Sequence, residues 1–452
     1  MSEANTVIPL REHQEPDTRE PRRFKVFTAR QLDKIEQLQR LDEDARFAMR
    51  VVANVLPFRV NEYVIEELID WDKVPDDPIY QLTFPQKGML APEHFDKVAE
   101  AMRGGDKAEI DAAVAEVREA LNPHPAGQME HNIPEVDGEK VEGIQHKYNE
   151  TVLFFPSQGQ VCHSYCTFCF RWAQFIGDND LKIATKEAGQ LKRYVQAHPE
   201  ITDILITGGD PLVMKTRNLR AHIEPLLELE QIRTIRIGSK ALTFWPQRVI
   251  SDKDADDLLD LFREVQAAGK HLALMAHYNH WRELEPAIAR EAIARVRETG
   301  AQIRAQGPLL AHINDNADDW ARLWQTQVEL GIVPYYMFVE RDTGARRYFE
   351  VPLARAWHIY REAMKQVSGL ARTARGPSMS SHPGKVEIQG VTEVAGEKVF
   401  VLRLIQGRNP DWVQRPFFAK YNEDATWLNH LEPAFGEEKF FFDDELAAME
   451  GE

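Results

Sequence analysis

A chain of 452 residues with 43% hydrophobic and 28% charged side chains has ordinary globular composition and can bury a large core; at ~150 residues per domain it holds about three units, or one barrel with extensions. Its 72 acidic against 55 basic side chains give a net charge of −17, which argues against non-specific nucleic-acid binding. No apolar run approaches the ~18 residues of a membrane span, the first residues lack a basic-then-apolar signal peptide, and only three cysteines occur, so a reducing cytoplasm is the expected compartment.

Residues 1–21 are polar and rich in Pro and Glu, as a flexible arm would be. The pattern is helical from 28 to about 69 and again over 101–120. Residues 121–145 carry Pro, Gly and His without periodicity and read as a linker, so 22–145 form a helical N-terminal extension. After Gln145 short apolar runs recur at 152–155, 204–207, 234–237, 272–276, 303–305 and 332–338, with helical stretches between them. In the clearest of these, 252–268, Leu258, Leu261, Phe262 and Val265 fall at i, i+3, i+4 and i+7, with Ser251 or Asp252 as cap and Gly269 as stop. Six parallel strands with crossover helices over 146–350 make either a doubly wound sheet or an incomplete (β/α)6 barrel. Beyond Val351 a helix over 352–367 leads to a Gly/Ser/Pro/His loop, 376–385. Alternating strands at 386–394 and 399–405 follow, joined by a turn at 395–398; together 351–410 read as a lid segment. The tail, 411–452, ends in Lys439-Phe-Phe-Phe-Asp-Asp, whose aromatics need a surface, either the barrel mouth or a partner subunit; a homo-oligomer is expected.

All three cysteines lie in Cys162-His-Ser-Tyr-Cys166-Thr-Phe-Cys169. Thiolates select iron–sulfur clusters, and three of them on a 4Fe–4S cubane leave one iron open. A structural zinc wants four ligands. A redox pair would use Cys166 and Cys169 and leave Cys162 unexplained. The C-x3-C-x2-C spacing, with Phe168 before the last cysteine, resembles that of the radical S-adenosylmethionine (SAM) enzymes, whose open iron chelates SAM. The loop follows the first strand, at the carboxyl end where such folds put their chemistry. The next strand runs into Gly208-Gly-Asp-Pro211. Its glycines would let backbone approach SAM, with Asp210 on the SAM ammonium; Asp210 and Pro211 are equally good as a helix cap and first helical residue.

Four further segments, His146-Lys-Tyr-Asn-Glu-Thr-Val-Leu153, Ile235-Arg-Ile-Gly-Ser-Lys with Pro246-Gln-Arg248, His277-Tyr-Asn-His280 and Pro-Gly-Lys385, resemble the lysine 2,3-aminomutase family from about residue 76 to about residue 405. The resemblance implies an α/β fold, a partial (β/α)6 barrel of the radical SAM type with a helical N-terminal extension and a C-terminal α+β lid. It implies a [4Fe-4S] cluster, SAM and pyridoxal 5′-phosphate (PLP), and an electron donor such as flavodoxin or ferredoxin. The implied reaction moves the α-amino group of an L-amino acid to C3 by way of a 5′-deoxyadenosyl radical and an imine with PLP. By motif, Cys162, Cys166 and Cys169 are the cluster ligands, Lys385 the PLP lysine and Arg171 the clamp for the substrate α-carboxylate. Gly208, Gly209, Asp210 and His277 fall in the cofactor-binding segments. Taken without the family, Lys385 would be a turn lysine, Arg171 a solvated arginine, and His277 and His280 hydrogen-bonded structural groups.

The sequence also departs from the family. Lys147 and Thr151 stand where the family has arginines for the PLP phosphate, and the family's interfacial zinc cysteines are missing. Where two aspartates meet the ammonium of lysine, the ungapped register places Arg341 and Ser378. A cation suits a carboxylate, so a glutamate-like or other non-lysine substrate is expected; a one-residue slip would put Asp342 there and restore lysine. The alternatives are a PLP-free radical SAM enzyme of the epimerase or dehydrogenase type, and a non-catalytic iron–sulfur protein.

Overall fold

The apolar runs between residues 151 and 339 become parallel strands of one sheet. The computed structural model describes residues 22–123, 132–136, 139–177, 183–185 and 188–451; the expected arm and part of the linker lie outside the described residues. The strands are β1 (Val26–Thr28), β2 (Arg59–Asn61), β3 (Glu135–Val136), β4 (Glu139–Lys140), β5 (Ile144–Tyr148), β6 (Thr151–Phe154), β7 (Asp203–Ile206), β8 (Thr234–Ser239), β9 (His271–His277), β10 (Gln302–Leu309), β11 (Val333–Val339), β12 (Arg375–Ser380), β13 (Gly384–Val394), β14 (Glu397–Gly407) and β15 (Pro416–Lys420). β1 pairs with β2 and β3 with β4; β5 to β15 form one sheet of eleven strands in chain order.

Every pairing from β6 to β12 is parallel; β5 and β13–β15 are added antiparallel. A doubly wound sheet reverses its strand order at a switch point, and this order never reverses. Parallel neighbours need a crossover, supplied by helices at Ala188–Ala197, Thr216–Leu227, Ala255–Ala267, Ala287–Glu298, Ala317–Glu329 and Leu353–Lys365. Strand residues Ile204, Ile206, Ile235, Leu272 and Ile303 meet Leu219, Ile223, Leu258, Phe262 and Val296 of those helices in one core.

Several expectations need correction. The segment 376–385 is not a loop: Arg375–Ser380 is a buried strand parallel to β11, and Lys385 lies in β13. Composition misled because Gly376, at φ +151°, is what lets this strand approach the carbonyl of Met337; a Cβ there would collide with that oxygen. Residues 28–69 are not one helix. Pro57 stops the helix Glu43–Val55, after which come β2 and a single π-helical turn, Val64–Leu68. Likewise 101–120 divides at Gly105 into Pro92–Gly104 and Lys107–Ala120, the second capped by Asp106. The helix expected from 252 starts at Ala255, because the Asp252 carboxylate is taken by the indole N–H of Trp245, 3.2 Å away.

The N-terminal extension buries Val52, Val60, Val64, Leu68, Ile79 and Phe84 against Trp172, Phe244, Leu310 and Phe349. Those four follow β6, β8, β10 and β11, so the extension covers the carboxyl ends of the strands. Buried Asp77 fixes it there: it caps the helix Pro78–Thr83, accepts from Ile79 and Tyr80, and pairs with Arg282 beyond β9. Within the chain, the tail aromatics pack against the outermost strand of the sheet. Phe440 and Phe442 pack on Phe417 of β15 at 5.4 and 5.5 Å, and Phe442 on Trp412 at 5.8 Å. Among the described residues no helix is long and apolar enough to cross a membrane.

Candidate active site

The cysteine loop leaves the carboxyl end of β6 and is fastened on both sides. On the sheet side the amides of Gly209 and Asp210 donate to the Gly159 carbonyl (3.0 and 3.1 Å), and that of Asp210 also to Val161 (2.9 Å). A Cβ on Gly209 would lie 2.6 Å from the Val161 nitrogen, so only glycine permits this approach. On the extension side Tyr165 N donates to Arg59 O (2.8 Å) and Thr167 N to Leu82 O (2.9 Å). Asn61, fully buried, donates its backbone N–H to Ser164 Oγ (3.0 Å) and its Nδ2 to Phe244 O (2.7 Å). Cys169 N turns back to Cys166 O at 3.1 Å. All three thiols are therefore presented by one rigid loop.

Burial pushes the Cys162 thiol well up, Cys166 to about 12 and Cys169 to about 11, the last held lower by the Arg171 amide and charge. Iron binding must displace these protons, as metals do at thiols. Among the described residues no three His, Cys, Asp or Glu side chains meet where one ion could sit. A single ion gathers its ligands to a point, whereas a cubane takes each thiolate on a different iron, so a three-cysteine cluster does not require that convergence.

Asp210 is buried and its carboxylate is occupied. It accepts from Leu212 N (2.9 Å), Ser239 Oγ (2.8 Å) and Lys240 N (2.9 Å). The capping expectation holds for this residue, and its side chain ties β7 to β8 beneath the cluster loop. His277 ends β9 with Nε2 at 2.9 Å from Gln306 Nε2; burial, then Lys240 and Arg171, hold it neutral, down to about 3. His280 is structural, its Nδ1 accepting from Arg282 N.

A cavity of ≈ 190 Å³ lies beside this loop. Lys147, Tyr148 and Thr151 line it from the β5–β6 hairpin, Phe170 and Arg171 from the cysteine loop, Arg236 from β8, Arg341 from beyond β11, and Ser380 and Lys385 from β12 and β13. Five cations face it and, among the described residues, no carboxylate does. Arg236 is neutralised by Asp203 at 2.9 Å. The rest are not. Arg171 Nη1 is buried without a hydrogen-bond partner, its guanidinium over Phe155 and Phe170 at 4.5 and 5.1 Å. Arg341 gives Nη1 to Ser380 O (2.8 Å) while its buried Nε has no partner. Lys147 donates to the Ser381 carbonyl.

The Lys385 ammonium sits over the Tyr336 ring at 4.1 Å and over Phe338 at 5.5 Å. Burial first, then Arg236, Arg375 and Arg341, lower it to about 7. About half of it is therefore free amine at neutral pH, which would not hold for a turn lysine. Ser378 is fully buried and bonds back to Met337 O at 3.5 Å, outside the cavity lining; Ser380 of the same strand lines it instead. Glu340 and Asp342, the neighbours of Arg341, do not line the cavity either. Each keeps a buried carboxylate oxygen without a partner, and burial pushes Glu340 well up.

Sequence reasoning missed the fasteners Arg59, Asn61 and Leu82 and the platform Tyr336. Only the alternation of Tyr336 with Phe338 on one strand face could have signalled the last.

No protein-family model matches the sequence. Curated relatives do. A chain from Aquifex aeolicus (strain VF5), described as "Putative L-lysine 2,3-aminomutase", is 32% identical over 392 residues, 87% of this chain and 92% of its own. L-lysine 2,3-aminomutase of Escherichia coli (strain K12) is 29% identical over 55% of this chain and 69% of its own. That of Bacillus subtilis (strain 168) is 24% identical over 84% and 71%. Among solved structures, Streptococcus suis SuiB bound to precursor peptide SuiA matches with TM-score 0.35 and 16% identity over 57% of this chain and 51% of that one. A radical SAM methyltransferase from Sphaerobacter thermophilus gives 0.34 and 14% over 51% and 68%. At those scores the solved structures carry no argument; the curated sequences do.

Proposed function

The chain belongs to the lysine 2,3-aminomutase family, and from that premise we propose that it is a radical SAM amino-acid 2,3-aminomutase whose substrate is glutamate-like rather than lysine. The observation that carries the substrate reading is a cavity faced by Lys147, Arg171, Arg341 and Lys385 with no acid among its described lining residues. Such a site fits a phosphate-bearing cofactor and a substrate with two carboxylates. It does not fit an ammonium, whose placement among like charges costs several kcal/mol.

Cys162, Cys166 and Cys169 would hold the 4Fe–4S cluster with SAM at the open iron. Lys385 would hold PLP through its amine, with Lys147, Tyr148 and Thr151 on the phosphate. When bound, the cluster and SAM supply a hydrogen-abstracting radical, and PLP supplies a π-system through which the nitrogen can move between neighbouring carbons.

The protein's own part is position and charge. Arg171 takes the α-carboxylate with its unpartnered Nη1, a planar fork that fixes the substrate in rotation as well as place. Arg341, anchored at one end by Ser380, turns its free Nε to the distal carboxylate. Both guanidinium carbons lie 5.1 Å from the Phe170 ring centre, so they stand at most about 10 Å apart, a span for a short dicarboxylate. Tyr336 seats Lys385 for exchange with the substrate amine. Leu153, Phe170 and Tyr148 keep the space dry. The chain-ordered parallel strands support reading 146–350 as a partial (β/α)6 barrel, with 22–145 covering its strand ends, 351–410 as the lid and 411–452 as a tail packed on that lid. Turnover needs a one-electron donor such as a flavodoxin or ferredoxin.

The test is anaerobic reconstitution with SAM, PLP and dithionite, with L-glutamate and L-lysine offered separately and isomers read by mass spectrometry. Glutamate should be converted, and Arg341→Asp should abolish that conversion. Efficient conversion of lysine with glutamate ignored would return the distal site to Asp342 or Glu340.

A further inference from the structure

A second cavity, ≈ 310 Å³, lies on the other side of the cysteine loop and shares no lining residue with the first. Cys162 faces it, with His163 beside it, Phe24 and Arg59 from the N-terminal extension, and Trp245 and Arg248 from the segment after β8. Several polar groups here are spent, although His163 Nδ1 is buried without a hydrogen-bond partner among the described residues. Arg248 is buried and gives its donors to Leu212 O (2.7 Å), Met214 O (3.1 Å) and Asp254 (3.0 Å). Asp252 accepts from Trp245. Arg59 is different. Its Nε is buried and, among the described residues, has no hydrogen-bond partner, and its guanidinium rests over Phe24 at 5.9 Å.

The backbone explains why this arginine is here. β2 runs along the cysteine loop, with Arg59 O receiving Tyr165 N and Asn61 N meeting Ser164 Oγ, so the extension delivers Arg59 to the Cys162 side. A buried N–H with no acceptor is costly, and a charged donor more so. Resting on the cluster reading above, we propose that Arg59 donates its Nε–H to sulfur of the cluster at Cys162, and so is a positioning residue that makes the cluster easier to reduce. Hydrogen bonds to the sulfurs and nearby charge are what set the potential of such clusters. A cation favours the state with the extra electron, and here it opposes the field of a chain with net charge −17.

The experiment compares the reconstituted full chain with Arg59→Gln and Arg59→Lys, by iron content and by a redox titration of the cluster followed by electron paramagnetic resonance. The expected result is wild-type iron in both variants. The midpoint should move to more negative potential in Arg59→Gln and by less in Arg59→Lys, which keeps the charge but loses the planar donor. SAM cleavage should then fall more with a weak reductant than with dithionite. An unchanged midpoint in Arg59→Gln at full iron content overturns the proposal. So does loss of iron from both variants, which would make Arg59 an assembly residue. Absence of a cluster from the wild-type protein would defeat the cluster reading instead.

Discussion

Lys385 offers the sharpest quantitative test. An ordinary lysine ionises near 10.4, so at pH 7 about one in a few thousand is free amine. With its ionisation brought down to about 7 by burial and by Arg236, Arg375 and Arg341, roughly half of Lys385 is free. The free amine is the nucleophile, and its fraction at pH 7 exceeds that of an exposed lysine about a thousandfold, so Lys385 should capture PLP ahead of the exposed lysines. The sign follows directly: reactivity climbs as pH rises through about 7, then levels off. Brief exposure of the protein to PLP, borohydride trapping and peptide mass spectrometry would measure labelling at Lys385 against pH. Arg375→Gln removes one neighbouring charge but leaves the burial, so the half-rise should move up only slightly. Lys385→Ala should leave no fast-labelled site. A half-rise above pH ~9.5, or label spread evenly over exposed lysines, would refute both the buried-amine argument and the role given to Lys385.

Three further outcomes are expected. Wild-type protein should take up about four irons per chain, a single cubane, and Cys166→Ala should lose both the iron and SAM cleavage; zinc in its place would defeat the reading. Arg171→Lys should keep cluster and SAM binding yet lower kcat/KM by roughly ten- to a hundredfold, because a point charge replaces a fork; unaltered kinetics would return Arg171 to a structural role. Asn61→Ala strips buried partners from the Val64 amide and from the Phe244 carbonyl and should cost about 1–3 kcal/mol, visible as a lower Tm and faster loss of iron on dilution.

How much of this was legible beforehand depended on whether a signal is local. The three cysteines announce themselves because their ligand spacing is a property of eight consecutive residues. The strands at 204–207 and 272–276 were readable for the same reason, since β-branched and apolar runs bounded by Gly and Pro need no distant partner to be recognised. The strand Arg375–Ser380 was not. Its Gly, Pro and Ser composition describes a loop, and only the close approach to Met337 makes a strand of it. Asn61 and Arg59 were equally hidden, because their partners lie some hundred residues on in the cysteine loop and nothing in their own neighbourhood marks them.

The substrate question shows why the same limit reaches into specificity. Glu340, Arg341 and Asp342 are consecutive, and a register slip of one residue exchanges an acid for a base at the position that should meet the substrate side chain. Successive residues of an extended chain face opposite ways, so the sequence holds both answers and ranks neither. The cavity separates them: Arg341 lines it, while its two acidic neighbours do not. That asymmetry rests on two contacts no motif contains, the Ser380 carbonyl that accepts from Arg341 and the Phe170 ring it shares with Arg171. Phe170→Leu should therefore loosen both guanidinium groups while leaving their charges in place. KM for glutamate should rise with the trapped PLP at Lys385 unchanged, and an unaltered KM would show that the shared ring plays no part in setting the distance between the two carboxylate sites.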